Sequence, residues 1–244
     1  LDQDAVMTRE AFRATLELEN STAAPLTDVG GSIVITDASG QNATDRFAIR
    51  APSLQGIAAV DGSGSVAPGS TAIAQWVIVP TSEAAADAVT EYFVSGTLNY
   101  RENDVLVTTP LFPVPITVHP QAELDLHYFH QRDVFSDDPW TDEIEPAQPY
   151  QLAVMVQNHG AGQARNLRIE SAQPQIVENE KGLLIDFKII GTEVAGQHLT
   201  PSLTANFGDL APGEIKIGRW WLTSTLQGQF ISYEATFEHL DGLG

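Results

Sequence analysis

The sequence predicts an all-β chain built as two tandem antiparallel β-sandwich domains, and three observations carry that expectation. Short stretches alternating apolar with polar residues recur along its length, bounded by Gly, Pro, Asn, Asp and Ser, as expected of strands with one face inside and one in water. Stretches with apolar residues at helical spacing are almost missing. Two of the alternating stretches, together with their flanking turns, occur twice in the same order.

Taken from the start, residues 12–20 place Phe12, Ala14, Leu16 and Leu18 on one face of a strand. Residues 31–36 read as another strand, and residues 37–42 as a hairpin loop leading into a strand over residues 46–50. The one helix-leaning stretch is residues 82–89, a turn or two with Ser82 as its N-cap. The repeat begins where Phe12-Arg-Ala-Thr-Leu-Glu-Leu-Glu-Asn20 aligns with Tyr150-Gln-Leu-Ala-Val-Met-Val-Gln-Asn158, 138 residues on. Each copy has an aromatic start, alternating apolar residues and a closing Asn.

A second anchor lies downstream, where Val66-Ala-Pro-Gly-Ser-Thr-Ala-Ile-Ala-Gln-Trp76 aligns with Leu210-Ala-Pro-Gly-Glu-Ile-Lys-Ile-Gly-Arg-Trp220, 144 residues on. Pro68 and Pro212 fix φ in the turn, and Gly69 and Gly213 supply positive φ beside them. The chain thereby reverses into a strand whose Trp fills a sandwich core. A further alternating strand follows in each copy, residues 93–100 and 232–239. The prolines at 110, 113, 115 and 120 keep the end of the first copy extended, as an edge strand running into a short linker. This sets the boundary at repeat one, residues 1–121, and repeat two, residues 122–244. The expected cores are Phe12, Leu16, Leu18, Ile33 and Trp76 in the first, and Tyr150, Val154, Val156, Leu167, Trp220 and Phe237 in the second.

Composition narrows the function classes. Twelve basic residues stand against 32 acidic ones, a formal net charge of −20, which repels nucleic-acid phosphates and anionic lipid surfaces. No nucleic-acid partner and no membrane insertion are expected. The 244 residues contain no cysteine, which removes thiol catalysis, thiolate metal sites and disulfides. The nucleophile elbow, the phosphate-binding loop and the dinucleotide fingerprint do not occur. The chain is accordingly expected not to be an enzyme, and to be a piece of a longer protein flanked by neighbouring domains.

Residues 158–169, Asn-His-Gly-Ala-Gly-Gln-Ala-Arg-Asn-Leu-Arg-Ile, followed downstream by Leu210-Ala-Pro-Gly213, carry a resemblance to bacterial CARDB-like and related immunoglobulin-like modules. The shared pattern is a strand ending in Asn, a Gly-containing turn, Ala-x-Asn/Asp-Val/Leu, and a Leu-x-Pro-Gly turn into an aromatic strand. The resemblance covers about two thirds of the second copy and less of the first. It implies immunoglobulin-like sandwiches in tandem, serving as spacer or adhesive modules of a large extracellular or cell-surface protein. The acidic, lysine-poor composition fits a secreted protein from a saline setting. The first copy departs from the pattern in having no Gly in the turn over residues 20–29. The second carries what reads as an insertion around residues 175–203, an added hairpin or strand pair that widens the sandwich or presents a recognition element.

The densest chemical candidate is residues 133–145, with six carboxylates on a loop. Calcium takes six to eight oxygens from such loops, and Asp133, Asp137, Asp138 and Asp142 are the expected ligands, with a solvated acidic loop and a partner-binding loop as alternatives. No other cofactor is expected. His127 and His130 lie three apart on a strand and so point to opposite faces, which argues against a shared zinc. Trp140 and Trp221 are candidate ligand contacts; together with Trp220 and Tyr233 they raise the alternative of a carbohydrate-binding module or an accessory domain of an extracellular enzyme. Trp220 and Trp221, being adjacent, face opposite sides of their strand, one toward the core and the other exposed or covered by the insertion. A protein or a glycan is therefore the partner class the sequence raises.

Overall fold

The computed structural model describes residues 1–171, 186–229 and 235–240, and among them every regular element is a strand apart from two single 3₁₀ turns. No helix among the described residues is long and apolar enough to cross a membrane. The chain divides into two compact units, Leu1–Pro120 and Gln121–Gly244.

In the first unit the strands are β1 (Ala5–Met7), β2 (Phe12–Glu19), β3 (Leu26–Asp37), β4 (Phe47–Ile49), β5 (Ser53–Gln55), β6 (Asp61–Val66), β7 (Thr71–Pro80), β8 (Thr90–Glu102) and β9 (Val105–His119). They form one sheet in the order β1-β9-β8-β3-β6 and another in the order β2-β7-β4, with β5 also on β7. Only β1 pairs in parallel, on the end of β9. Phe12, Ala74, Trp76 and Ile78 from one sheet meet Ile35, Tyr92, Val94, Ile116 and Val118 from the other in one buried cluster. Each large side chain so buried contributes about 1.5–3 kcal/mol.

The second unit comprises β10 (Leu124–His130), β11 (Asp133–Val134), β12 (Tyr150–Asn158), β13 (Ala164–Ser171), β14 (Phe187–Val194), β15 (Gln197–Leu199), β16 (Thr204–Leu210), β17 (Ile215–Ser224), β18 (Gly228–Gln229) and β19 (Ala235–Leu240). Their sheets run β10-β12-β17-β14-β15 and β16-β13-β19, with β11-β18 as a separate pair. The pairings β12–β17, β14–β17, β13–β16 and β13–β19 repeat β2–β7, β4 and β5 on β7, β3–β6 and β3–β8. Register agrees as well: Ala14 faces Trp76 as Leu152 faces Trp220.

What ties the repeated anchors together is the Asn that closes the aromatic-led strand. Asn20 is 1% exposed and Asn158 is fully buried. Asn20 Nδ2 donates to the carbonyls of Ala24 and Val66, both at 2.9 Å, while Oδ1 accepts from the Thr22 N–H at 3.0 Å. Asn158 Nδ2 donates to Gly162 at 2.7 Å and Leu210 at 3.2 Å, and Oδ1 accepts from Gly160 N–H at 3.0 Å. The main chain of the same residue closes the Ala-Pro-Gly turn, since Gly69 N–H donates to Asn20 O and Gly213 N–H to Asn158 O, each at 2.8 Å. Gly69 and Gly213 have φ of 66° and 74°, the left-handed region where a β-carbon is unfavourable. One side chain thus satisfies the orphaned polar groups of two turns that lie far apart in sequence.

The pattern Ala-x-Asn/Asp-Val/Leu has an equally local cause. Asp28 and Asn166 sit at φ 52° and 48°, each inside a bulge that shifts register on both neighbouring strands. Asn and Asp are the side chains that tolerate this region best after Gly.

Several expectations are corrected. Residues 37–42 do form a tight turn, with Asp37 Oδ1 accepting from the Ser39 and Gln41 N–H groups, but β3 and β4 are not a hairpin. A 3₁₀ turn at Thr44–Arg46 redirects the chain, and β4 joins the opposite sheet, where Phe47 packs edge-on against Tyr92 with ring centroids 4.9 Å apart. The turn at Ser82–Ala85 is capped by position Thr81, and Ser82 Oγ instead accepts from Arg9 Nε. Phe237 is half exposed, not core, whereas its counterpart by register, Leu98, is buried. Leu16, Leu18 and Ile33 are partly buried at the margins of their clusters. Part of the expected insertion is no addition, because β14 occupies the place of β4 and β5 on the Trp-bearing strand. The extra structure is the β14–β15 hairpin, whose turn at Ala195 and Gly196 has φ of 49° and 80°. Residues 172–185, including the Leu184 and Ile185 alternation, and Tyr233 lie outside the described residues.

One of the prolines of β9 falls in a bulge. Val94 faces Val114 and Gly96 faces Leu111, so Phe112 and Pro113 together oppose Ser95, where a missing N–H costs no ladder bond, while Pro110 and Pro115 stay in register with Thr97 and Phe93.

Replacing Asn20 or Asn158 by Ala removes four side-chain hydrogen bonds with buried or partly buried groups in each case, and is expected to destabilise its unit by about 2–4 kcal/mol. Urea denaturation reads this out, with Gln151→Ala on the exposed face of β12 as the reference, expected within about 0.5 kcal/mol of the unaltered chain.

Candidate functional site

Three regions named from sequence are placed by the fold: the acidic loop after β11, Trp140 and Trp221. The acidic loop is anchored from below. Val134 is 2% exposed and belongs to the second core, and Ser136 Oγ donates to Ser224 O at 2.7 Å. β11 pairs with β18 across 96 residues, and Gln229 Nε2 donates to Asp133 Oδ1 at 2.8 Å. Beyond that anchor the loop folds on itself. Asp138 N–H donates to Glu145 Oε2 at 2.8 Å, Glu145 N–H to Asp137 Oδ1 at 3.1 Å, and Trp140 N–H to Asp138 Oδ1 at 3.0 Å.

These contacts decide what the carboxylates do in this conformation. Asp137 and Asp138 each accept from a backbone N–H of the loop and hold its turns, whereas Asp133, on β11, accepts from the Gln229 side-chain amide across the strand pair. Among the described residues no three His, Asp or Glu side chains gather as a group that could hold an ion. Of the four expected calcium ligands, Asp137, Asp138 and Asp142 lie on the loop and Asp133 on the strand that leads into it.

Trp140 is the most exposed of the described tryptophans, 72% open. It lies in a groove of about 380 Å³ lined by Asp133, Phe135, Asp138, Pro139, Gln227 and Gln229 with their neighbours. Phe135 is also exposed. Trp221 does not line this groove. It sits on β17 facing away from buried Trp220, half-buried, with its indole lying over the neighbouring β14–β15 hairpin of the same sheet. Its indole carries Gly191, where a β-carbon would come within 3.2 Å of Cε3, and the His198 ring, with centroids 6.0 Å apart. Glu193 on the same hairpin is 7% exposed and accepts from Arg219 at 2.7 Å. The two tryptophans proposed as ligand contacts are thus different in kind, one presented in a concavity and one half-buried and laid against its own sheet.

The histidine pair behaves as strand geometry requires. His127 Nε2 lies 3.1 Å from Asp125 Oδ2 on the exposed face of β10, and His130 belongs to the opposite face.

Phe135, Gln227 and Gln229 were not singled out from sequence. The pairing of a two-residue strand with another 96 residues on leaves no periodicity to read, and only the Gly228 between two Gln residues marks the spot as a turn. A second cavity, about 210 Å³ and mainly apolar with Thr15 and Ser95 in its wall, opens on the first unit between Leu16, Ile33, Trp76, Leu111 and Phe112.

Comparison with protein-family models and with curated proteins gives no match. Among solved structures, the chain is similar to the secreted serine protease VesC from Vibrio cholerae, at 11% identity and a TM-score of 0.28, over 96% of this chain and 48% of that one. It is also similar to the CsuC-CsuE chaperone-tip adhesion subunit pre-assembly complex from archaic chaperone-usher Csu pili of Acinetobacter baumannii, at 9% identity and a TM-score of 0.25, over 98% of this chain and 90% of that one. The chain thus spans about half the length of the VesC chain. Likenesses at these scores carry no inference about function.

Because the loop's turns are closed by its own hydrogen bonds, the thermal midpoint is expected to coincide in EDTA and in millimolar calcium. A midpoint raised by calcium would show that the four carboxylates swing to a common ion.

Proposed function

We propose that the chain is a pair of tandem immunoglobulin-like sandwich modules, similar to CARDB-like repeats, with the boundary near Gln121. In this reading they act as spacer or adhesive segments of a larger extracellular or cell-surface protein and carry no catalysis of their own. The observation that supports it best is the duplicated Asn knot. Asn20 and Asn158 make the same set of contacts at the same register, so both copies keep the device that holds the fold. They differ in the β14–β15 hairpin, the acidic loop and the β11–β18 pair, and in where the first strand of each lies. A scaffold kept constant with variable loops is how modules of one fold are put to different uses.

A spacer is loaded along its length, and units with separate cores give way separately. Pulling the intact chain from its two ends is expected to show two unfolding events. Each unit of about 120 residues should release roughly 400 Å at about 3.3–3.6 Å per residue. A single event of about twice that length would mean one cooperative body and would overturn the tandem reading.

A further inference from the structure

The groove beside Trp140 has a chemistry that neither spacing nor load-bearing requires. Two exposed aromatic rings, Phe135 and Trp140, share it with the carboxylates of Asp133 and Asp138 and the amides of Gln227 and Gln229. Aromatic rings supply flat apolar faces, and planar amides and carboxylates supply paired donors and acceptors in fixed directions. A pyranose ring is the ligand that asks for both at once, since it has an apolar C–H face and a rim of hydroxyl groups that donate and accept. At about 380 Å³ the groove falls in the range of small-ligand sites, roughly 300–1,000 Å³.

Its framework is fixed before any ligand arrives. Val134 is seated in the core, Ser136 is tied to Ser224, and Gln229 is tied to Asp133. One wall of the groove is the β11–β18 pair, and the loop that carries Trp140 is closed by the bonds from Asp138 N–H to Glu145 and from Glu145 N–H to Asp137. Preorganisation of this kind lowers the ordering cost of binding. The charge argues for the class of sugar: two carboxylates line the groove within a chain of net charge −20, which disfavours uronate, sulfated or phosphorylated glycans. The Gln229 amide and the Trp140 backbone N–H each engage Oδ1 of Asp133 and Asp138, and a carboxylate has further lone pairs with which to accept from sugar hydroxyl groups.

We propose that the groove formed by Phe135, Trp140, Asp133, Asp138, Gln227 and Gln229 is a binding site for a neutral oligosaccharide, stacked on the exposed aromatic rings and hydrogen-bonded by the amides and carboxylates. The site goes beyond the spacer role and stands without it, since a load-bearing module and a catalytic protein's accessory domain can each present a sugar groove.

The test is a titration of the intact chain with neutral gluco-, xylo-, manno- and chito-oligosaccharides, followed by tryptophan emission and by calorimetry. Oligogalacturonate and tetralysine serve as the charged arms. At least one neutral sugar is expected to bind saturably. Trp140→Ala should weaken it about tenfold or more, as loss of a central aromatic contact does, with Gln229→Ala weakening it less. Trp140 is exposed, so its variant keeps the thermal midpoint of the parent, and Trp221→Phe keeps the affinity. Silence across the neutral panel, binding undiminished in Trp140→Ala, or response only to galacturonate or to tetralysine would each overturn the proposal.

Discussion

Both units depend on a buried amide that closes two turns at once. Placing Asn in a core is unfavourable unless all of its hydrogen-bonding capacity is used, and at Asn20 and Asn158 it is: two carbonyls accept from Nδ2, and Oδ1 accepts from the following turn. In the second unit Oδ1 also accepts from the Glu123 N–H, taking the place that the Thr22 hydroxyl fills in the first. Apolar packing decides that the sheets face each other, but it is indifferent to register. The amide is not, because a slip of one residue would leave a desolvated donor facing a side chain. The knot therefore acts as the register pin, and the Trp on the neighbouring strand lands in the core as a result.

Much of this was legible in the sequence because it is carried by local chemistry. The Ala-Pro-Gly turns, the Asn and Asp residues in left-handed bulges and the strand alternation all leave marks at fixed spacing. The sheet assignment of β4 left no such mark. Residues 37–50 satisfy the pattern of a hairpin, and only the depth of Phe47 against Tyr92 sends the strand across to the other sheet. Phe237 misled for the converse reason: alternation shows which face of a strand is apolar, not whether anything covers it. The supposed insertion was overcounted because β14 has a hydrophobic pattern of its own and little identity with β4 and β5.

The candidate site was half legible. Trp140 and the carboxylates announce themselves by type and density. Phe135, Gln227 and Gln229 become neighbours only through a two-residue pairing set by the core position of Val134, which is a tertiary constraint. Trp221 shows the reverse case, since an aromatic beside a core Trp reads as an open surface platform, whereas Gly191 opposite it, by lacking a side chain, lets the indole lie down across β14 toward His198.

The first strands of the two units are placed differently, and the difference reaches beyond the fold. β1 lies parallel on β9, outside β8, whereas β10 lies antiparallel on β12 in the other sheet. Among the described residues the outer edge of β19 has no strand where β8 has β9. The strand that enters each unit therefore joins a different sheet, and it is there that the two copies stop being interchangeable.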